Sequence, residues 1–513
     1  MDVRTQMRSA AQRNARRTAV VAGGRRLSFA EAWERGIRMA NALHALGIEP
    51  QDRVGVLEDN CLEAADFFLG AAIANVVRVP LYPRNARSAH VHMLGHTGCK
   101  AVIVAEKYAA ELDGIKADLP GLRHLIVRDA GYEDWLDGHS SLDPDVDVDP
   151  EDNYIIRHTG GTTGLSKGVA YTHRAWLAAG RDWFYLYPPV APGDACLHIG
   201  PISHGSGYLF TPIWLGGGVN VMVDRFEPNL ILDLMDSERI GYLFLVPTML
   251  NAINRIPEIE ARRFPALKCI LISAAPIAAD TALQAHRIFG DVLYQGYGQT
   301  EVLPIAMMGP QQWFATDLPD STPLRSCGMP LPYAQLQIWD ENNAPVQVGQ
   351  IGEIVAKTDG QMKGFWNDPE GTAERVVDGW VKTGDVGRLD ENGYLYMLDR
   401  AGDMIVSGGF NIYPAELENV LAGHPDVIEA AVFGIPHARW GETPCATCCI
   451  RPGATVSADE LAELCATRLG RHMRPGSVVL RTETLPKTPV GKVKRKELRE
   501  PYWEGQARRV GGA

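Results

Sequence analysis

The chain has no uninterrupted apolar run of the ~18–20 residues that a membrane-spanning helix requires. Its most apolar stretch, residues 67–80, is broken by Asn75 and Arg78. Basic residues do not predominate: Lys and Arg number 50 against 62 Asp and Glu, a formal net charge of −12. That balance argues against a dedicated nucleic-acid binder, although a local basic patch can still hold a phosphate. Cysteine is scarce, odd in number at nine, and lodged mostly in apolar segments such as Cys196 in ACLHI and Cys269 in LKCILI. This argues against a disulfide framework and for a reducing cytoplasm. Cys445, Cys448 and Cys449 in PCATCCI resemble metal ligands. No second Cys/His pair follows at zinc-site spacing, however, and the segment alternates like a buried strand, so a structural role is expected. Internal repeats and low-complexity tracts are absent.

What is present fits a soluble globular enzyme. Hydrophobic residues make up 46% and charged residues 22% of 513 residues, a length of roughly three folding units. The first 17 residues hold five arginines (Arg4, Arg8, Arg13, Arg16, Arg17) and one acid, Asp2. That composition suits a transit peptide, but serine is sparse, and a solvated N-terminal helix is the preferred reading. Ser28 and Glu31 form a capping box opening a helix with Trp33, Ile37, Ala40 and Leu43 at helical spacing, and Gly47 marks its end.

Strand-like runs then alternate with helical ones: DRVGVLE, a helix over 64–74, VVRVPLY, KAVIVA, GVNVMVD, YLFLVP, LKCILIS and DVLYQGYG. The rhythm predicts an α/β fold of βαβ-type units around mostly parallel sheets. Residues 133–152 carry nine carboxylates and read as a solvated linker between two such subdomains. After Leu324 short strands with turn residues (LQIWD, GEIVAKT, GWVKTGDVGRLD, GYLYMLDR) predict a small β-rich section. A further break near Arg400–Asp403 precedes strands over 430–435 and 445–450. A second capping box, Ser457 with Glu460, opens a helix bearing Leu461, Leu464, Cys465 and Leu469. The expected organisation is a large N-terminal domain, 1–400, and a small α+β C-terminal domain, 401–513.

The richest chemical signal is YIIRHTGGTTGLSKGV at 154–169. An apolar strand leads into a turn of Thr159, Gly160, Gly161, Thr162, Thr163 and Gly164, followed by Lys167. Glycines let backbone N–H groups crowd around phosphate oxygens, and threonine hydroxyls add donors. The order Ser166-Lys167-Gly168 excludes a Walker A loop. Further on come SAAP at 273–276 (Ala274, Ala275, Pro276), GYGQTE at 296–301, TGD ending at Asp385, Arg400, SGGFNIYP at 407–414, WGE at 440–442 and PKTPVGK ending at Lys492. A Ser-His-Asp hydrolase is not indicated, because Ser203-His204 lacks the Gly-x-Ser-x-Gly setting.

In that order the motifs resemble the adenylate-forming superfamily of acyl-CoA synthetases, aryl-CoA ligases, luciferases and peptide-synthetase adenylation domains. The resemblance covers essentially the whole chain, with Gly160 and Ser166 departing from the family's usual Ser and Pro. It implies that the loop Thr159–Gly164 with Lys167 cradles the triphosphate. Ala274, Ala275, Pro276, Gly296, Tyr297 and Gly298 would border adenine, with the Tyr297 ring against the base. Thr300 would donate to a phosphoryl oxygen, Glu301 would hold Mg²⁺, Asp385 and Arg400 would take the ribose, and Lys492 would be the mobile catalytic lysine. His204, in GPISHGSG at 200–207, would face the substrate carboxylate or else pack in a core. Gly408 and Gly409 would line a pantetheine tunnel, and Trp440 would either meet CoA or serve packing.

The implied reaction joins an acid to the α-phosphorus of ATP, releasing pyrophosphate, and then passes the acyl group to a thiol. Carboxylate and triphosphate repel by about 4 kcal/mol per charge pair at ~4 Å and an effective dielectric near 20. Lys167, Lys492 and Mg²⁺ at Glu301 would offset this. By the same resemblance the C-terminal domain rotates about Arg400–Asp403 between steps, with Gly402 at the pivot. None of the eight residues at 200–207 is acidic, whereas amino-acid-activating relatives place Asp there. A hydrophobic fatty, alicyclic or aromatic acid is therefore expected, with Gly205 and Gly207 leaving space beside Tyr208 and Phe210. A ligase loading a carrier protein and a catalytically silent nucleotide binder are the alternatives.

Overall fold

The computed structural model describes residues 1–159, 166–319, 321–400, 403–407, 410–487 and 493–504. Two large sheets dominate. The nine-stranded one runs, edge to edge, 329–330, 302–308, 293–299, 269–272, 240–245, 195–198, 219–222, 18–22 and 25–28. Its inner six strands are mutually parallel, with antiparallel strands at both edges. The seven-stranded one runs 364–365, 167–172, 153–159, 77–80, 53–57, 101–105 and 124–128. Here Val54, Val56, Leu57, Val77, Val79 and Val104 are at most 1% exposed. Continuous apolar runs of this kind are what a parallel sheet covered on both faces demands.

The section after Leu324 forms a five-stranded antiparallel sheet of 334–339, 352–358, 380–389, 376–377 and 395–400. Its strand Trp380–Leu389 alternates buried with part-exposed positions for eight residues, the period of a sheet with one wet face. A fourth sheet is built wholly from residues 405–481. Ile405, Leu417, Leu421, Val432, Ala446, Cys448, Leu461 and Cys465 close its own core. Cys445, Cys448 and Cys449 are buried in Gly441–Ile450, and among the described residues no cluster of three or more His, Cys, Asp or Glu is placed to hold a metal ion. Nor is any described helix long and apolar enough to cross a membrane.

The Ser28 capping box forms with both arms, whereas at Ser457 the Glu460 N–H donates to the serine and no reciprocal bond is present among the described residues. Two expectations are corrected. Residues 133–152 do not link two subdomains, because the strands before and after them, His124–Arg128 and Asn153–Thr159, belong to one sheet. The segment instead straps a helical face: Arg38 donates to the carbonyls of Asp137 and His139, Asn41 to those of Ser140 and Leu142, and Arg35 pairs with Glu133. The N-terminal helix Val3–Arg13 is also not simply solvated. Val3, Arg4, Met7, Ala10 and Ala11 are buried, Arg4 pairs with Asp143 of that strap at 2.6 Å, and Trp214 donates to the Met7 carbonyl. Arg4 and Arg8 of the arginine-rich stretch thus pair with Asp143 and Asp145 of the acid-rich one.

Candidate active site

The motifs gather where open α/β sheets place ligands, beyond the carboxyl ends of parallel strands. Strand Ala195–His198 runs into 200–207 and Cys269–Ile272 into 273–276, while Leu293–Gln299 carries GYGQ. Thr159 and Lys167 face each other across the antiparallel strands that lead into and out of the phosphate-loop segment. Gly160, Gly161, Thr162, Thr163 and Gly164 lie outside the described residues. Lys167 Nζ sits 2.8 Å from Asp368 Oδ2 and 4.9 Å from the centre of the Phe365 ring. The lysine, and after it the Gly371 N–H, holds the Asp368 carboxyl below the usual carboxylate range.

The strand continues through Tyr297 and Gly298 and turns at Thr300-Glu301 into Val302–Met308, with Gln299 opposite Val302. Thr300 and Glu301 therefore occupy a hairpin tip; Glu301 does not begin a helix. The tip is fixed from outside: Tyr171 donates to the Thr300 carbonyl at 2.6 Å and the Met362 N–H to that of Glu301 at 2.9 Å. Glu301 is 8% exposed, with its carboxylate 3.5 Å from Arg375 Nη2. The same Nη2 donates to Gln299, and Gln299 donates in turn to Asp385 Oδ2. The Tyr297 hydroxyl donates to that oxygen too, and burial together with Asp385 pushes the phenol well up. The Tyr297 ring belongs to the core cluster that holds Val302 and Ile354 and is 9% exposed. Gly296 and Gly298 approach Trp183 and Leu303 so closely that an added Cβ would lie 2.8 and 2.9 Å from them, so packing alone excludes a side chain.

Gly384 holds φ +69°, left-handed, which turns the chain so that its N–H meets Glu353 while Asp385 points inward, 3% exposed. Asp385 and Arg400 are cross-strand partners; the Arg400 side chain is not among those described. Ser273 donates to the Gly296 carbonyl, and Ala274, Ala275 and Pro276 form an exposed shelf beside it. Ala274 has φ +75°, a strained conformation for a residue with a Cβ.

His204 is half-buried, its Nδ1 3.4 Å from the Tyr82 hydroxyl, which itself donates to the His158 carbonyl. Three side chains that sequence reasoning passed over clamp its segment. Asn60 donates to the carbonyls of His198 and Gly200 and accepts from the Ile202 N–H. His198 bridges Ser206 and Asn220 at 2.8 Å each. Arg157 donates to the carbonyls of Ser203 and His204. The one available signal was a charged residue inside the apolar run YIIRH. The glycines do not leave the expected space: an added Cβ would meet Phe244 Cε1 at 2.9 Å from Gly205 and the Ile202 carbonyl at 2.1 Å from Gly207. Phe210 is core, packed on Phe68 with ring centres 4.4 Å apart. Phe244, Tyr208, Trp176 and Tyr82 are the aromatic neighbours of the segment, with Trp176 and Tyr208 stacked at 5.1 Å.

In the C-terminal part Trp440 is 47% exposed and stacked on His437 at 4.6 Å, so it is not buried packing. Ser407 pairs with Gly441, which brings Ser407 beside this turn; Gly402, Gly408 and Gly409 lie outside the described residues. So does Lys492; of its described neighbours, Lys487 and Val493 form a β-bridge and the Lys494 N–H donates to the Pro486 carbonyl. For Mg²⁺ the donor set fits in kind. Glu301 offers one hard oxygen ligand at a nearly buried turn, and Mg²⁺ ordinarily completes its shell from substrate phosphates and water.

Residues 7–366 match the model of the AMP-binding enzyme family, and residues 416–492 that of the AMP-binding enzyme C-terminal domain. The chain is 34% identical to a feruloyl-CoA synthase of an Amycolatopsis species over 94% of its own length and 96% of that protein. It is 32% identical to a long-chain-fatty-acid–CoA ligase of Mycobacterium tuberculosis, over 93% of each. Among solved structures, ATP-bound MatB from Rhodopseudomonas palustris superposes with a TM-score of 0.88 at 27% identity, covering 98% of this chain and 99% of that one. With two family models matched in order and a continuous bonded path from Asp385 through Gln299 and Arg375 to Glu301, the chain belongs to the AMP-binding enzyme family, the adenylate-forming group that its motifs resemble.

Proposed function

We propose that the protein is an ATP- and Mg²⁺-dependent acyl-CoA synthetase that activates a hydrophobic carboxylic acid as its acyl-adenylate and passes the acyl group to CoA, releasing AMP and pyrophosphate. The observation that carries this reading is the bonded convergence of the ribose motif and the hairpin tip. Asp385 and Glu301 are joined through Gln299 and Arg375 by hydrogen bonds and an ion pair, and Tyr171, which donates to the carbonyl of the adjoining Thr300, lies on the strand that leaves the phosphate-loop segment.

Asp385 takes the ribose hydroxyls, held in place by Tyr297 and Gln299. The shelf of Ala274, Ala275 and Pro276 lets a flat base lie against backbone. Lys167 leaves Asp368 for the triphosphate, and Thr300 donates to the α-phosphoryl group. When bound at Glu301, Mg²⁺ neutralises phosphate charge. Lys492 closes over the site for adenylation, and rotation about the 400–403 joint, the proposed boundary between domains 1–400 and 401–513, withdraws it. Trp440 and the 407–414 segment then guide CoA. Holding acid and phosphate in line supplies much of the rate advantage.

The aromatic wall and the absence of an acid at 200–207 support a fatty, alicyclic or aromatic substrate. Relatives are named for ferulate, long-chain fatty acids and indoleacetate. Nine unpaired cysteines favour the cytoplasm. Incubation with a panel of such acids, ATP and CoA should yield AMP and pyrophosphate; ADP and phosphate would overturn the reading. A carrier-protein ligase is the second reading, supported by 30% identity to a fatty acid–[acyl-carrier-protein] ligase of Streptomyces coeruleorubidus. Replacing CoA with a phosphopantetheinylated carrier separates the two.

A further inference from the structure

Arg157 lies within the strand Asn153–Thr159, two residues before the phosphate-loop segment, and is 1% exposed. Its Nη2 donates to the Ser203 carbonyl at 2.9 Å and to that of His204. Its guanidinium carbon lies 4.0 Å from the centre of the Tyr208 ring and 5.7 Å from that of Trp176. One side chain therefore grips Ser203, His204 and Tyr208 together. Among the described residues Nε and Nη1 meet no hydrogen-bond partner of ordinary geometry, and no carboxylate forms an ion pair with this guanidinium.

A guanidinium cannot shed its proton at any ordinary pH. Burying one without a counter-ion is costly, and carbonyl oxygens and ring faces offset only part of that cost. A second buried arginine, Arg78, stacks on Phe68 at 3.4 Å but makes no bond to the 201–208 segment. Asn60 and His198, the other clamps of that segment, are uncharged donors and acceptors. Arg157 is thus the one clamp that brings positive charge to the wall carrying His204.

We propose that Arg157 is a positioning residue for the acid. It fixes His204 and Tyr208 against the strand that bears the phosphate loop, and its charge, which no carboxylate pairs with directly among the described residues, favours a carboxylate over a neutral ligand at that wall. The inference deepens the proposed function and rests on it for the identity of the ligand. In a low-dielectric interior such a charge acts over several ångströms without direct contact.

The test compares wild type with Arg157→Met, which keeps length and removes charge, and Arg157→Lys, which keeps charge and loses the fork. Acid and ATP are varied separately in AMP-release assays, and hydrogen exchange of 201–208 is followed without ligands. Arg157→Met should raise the KM for the acid about tenfold or more and leave that for ATP within about twofold, with faster exchange at 203–208. Arg157→Lys should recover part of the acid affinity. Equal changes in both KM values, or an unchanged KM for the acid with unchanged exchange, would overturn the proposal. If Arg157→Met does not fold, Arg157→Lys decides: raised KM for the acid and faster exchange support it, and wild-type values in both refute it. A wild type that makes no AMP with any acid sinks the function reading instead, while the exchange measurement still judges the clamp.

Discussion

The hydroxyl of Tyr297 donates to Asp385 Oδ2 at 2.7 Å, although 88 residues separate the two in sequence. Gln299 donates to the same oxygen, also at 2.7 Å. The GYGQTE segment therefore holds the carboxylate of the TGD segment. A hydrogen bond to a charged acceptor contributes about 1.5–3 kcal/mol. With Gln299 still in place, Tyr297→Phe should raise the KM for ATP about tenfold and leave the KM for the acid unchanged. Initial rates over an ATP series check this; an unmoved KM for ATP would mean that Asp385 needs no such alignment.

Lys492→Ala should divide the two half-reactions. Adenylation, followed as acid-dependent pyrophosphate exchange, should fall by about 10²-fold or more. Thioester formation from preformed acyl-adenylate should stay near the wild-type rate. Equal losses in both would count against domain rotation.

Trp440 is half exposed and, among the described residues, stacks on His437. Trp440→Ala should therefore change stability by no more than about 0.5 kcal/mol while raising the KM for CoA. An unchanged KM for CoA would remove Trp440 from the thiol site.

Three buried histidines make the fold acid-sensitive. Burial lowers His158 to about 3, and His173 and His198 to about 4. Their folded pKa values lie below the unfolded value near 6.5, so the unfolded chain binds more protons in that window. Stability should be full above about pH 6.5 and should fall as pH drops toward 4. His198→Gln, which keeps polar reach toward Ser206 and Asn220, should flatten the slope of Tm against pH by about one proton. A slope identical to wild type would show that His198 is not a source of the sensitivity.

Gly205→Ala would bring a Cβ to 2.9 Å from Phe244 Cε1. Displacing that ring should narrow the acid site and penalise bulky acids more than short ones. Relative kcat/KM across an acid series reads this directly, and a uniform loss would indicate a folding effect alone.

Much of the architecture was legible because local rules had no competitor. Runs such as VGVL and AVIV can satisfy their burial only between two layers, and the Ser28 box can only open a helix. The strap at 133–152 was misread because a row of acids signals solvation only when no cations oppose it. Its partners Arg4, Arg25, Arg35 and Arg38 are more than 90 residues away. Gly205 and Gly207 were misread for a related reason: a missing side chain looks like open space until the neighbouring chain is seen to occupy it.

By itself the sequence determined the fold class, the order of motifs and the kinds of side chain that a triphosphate and a carboxylate require, since composition and period are local properties. Only the tertiary structure decided which groups meet. The Tyr297 hydroxyl meets Asp385, Arg375 joins Gln299 to Glu301, and Arg157 sits beneath His204. Each of these depends on strand register and chain reversal, and a hydrogen bond a few ångströms long is set by those long-range geometries, which no single segment encodes.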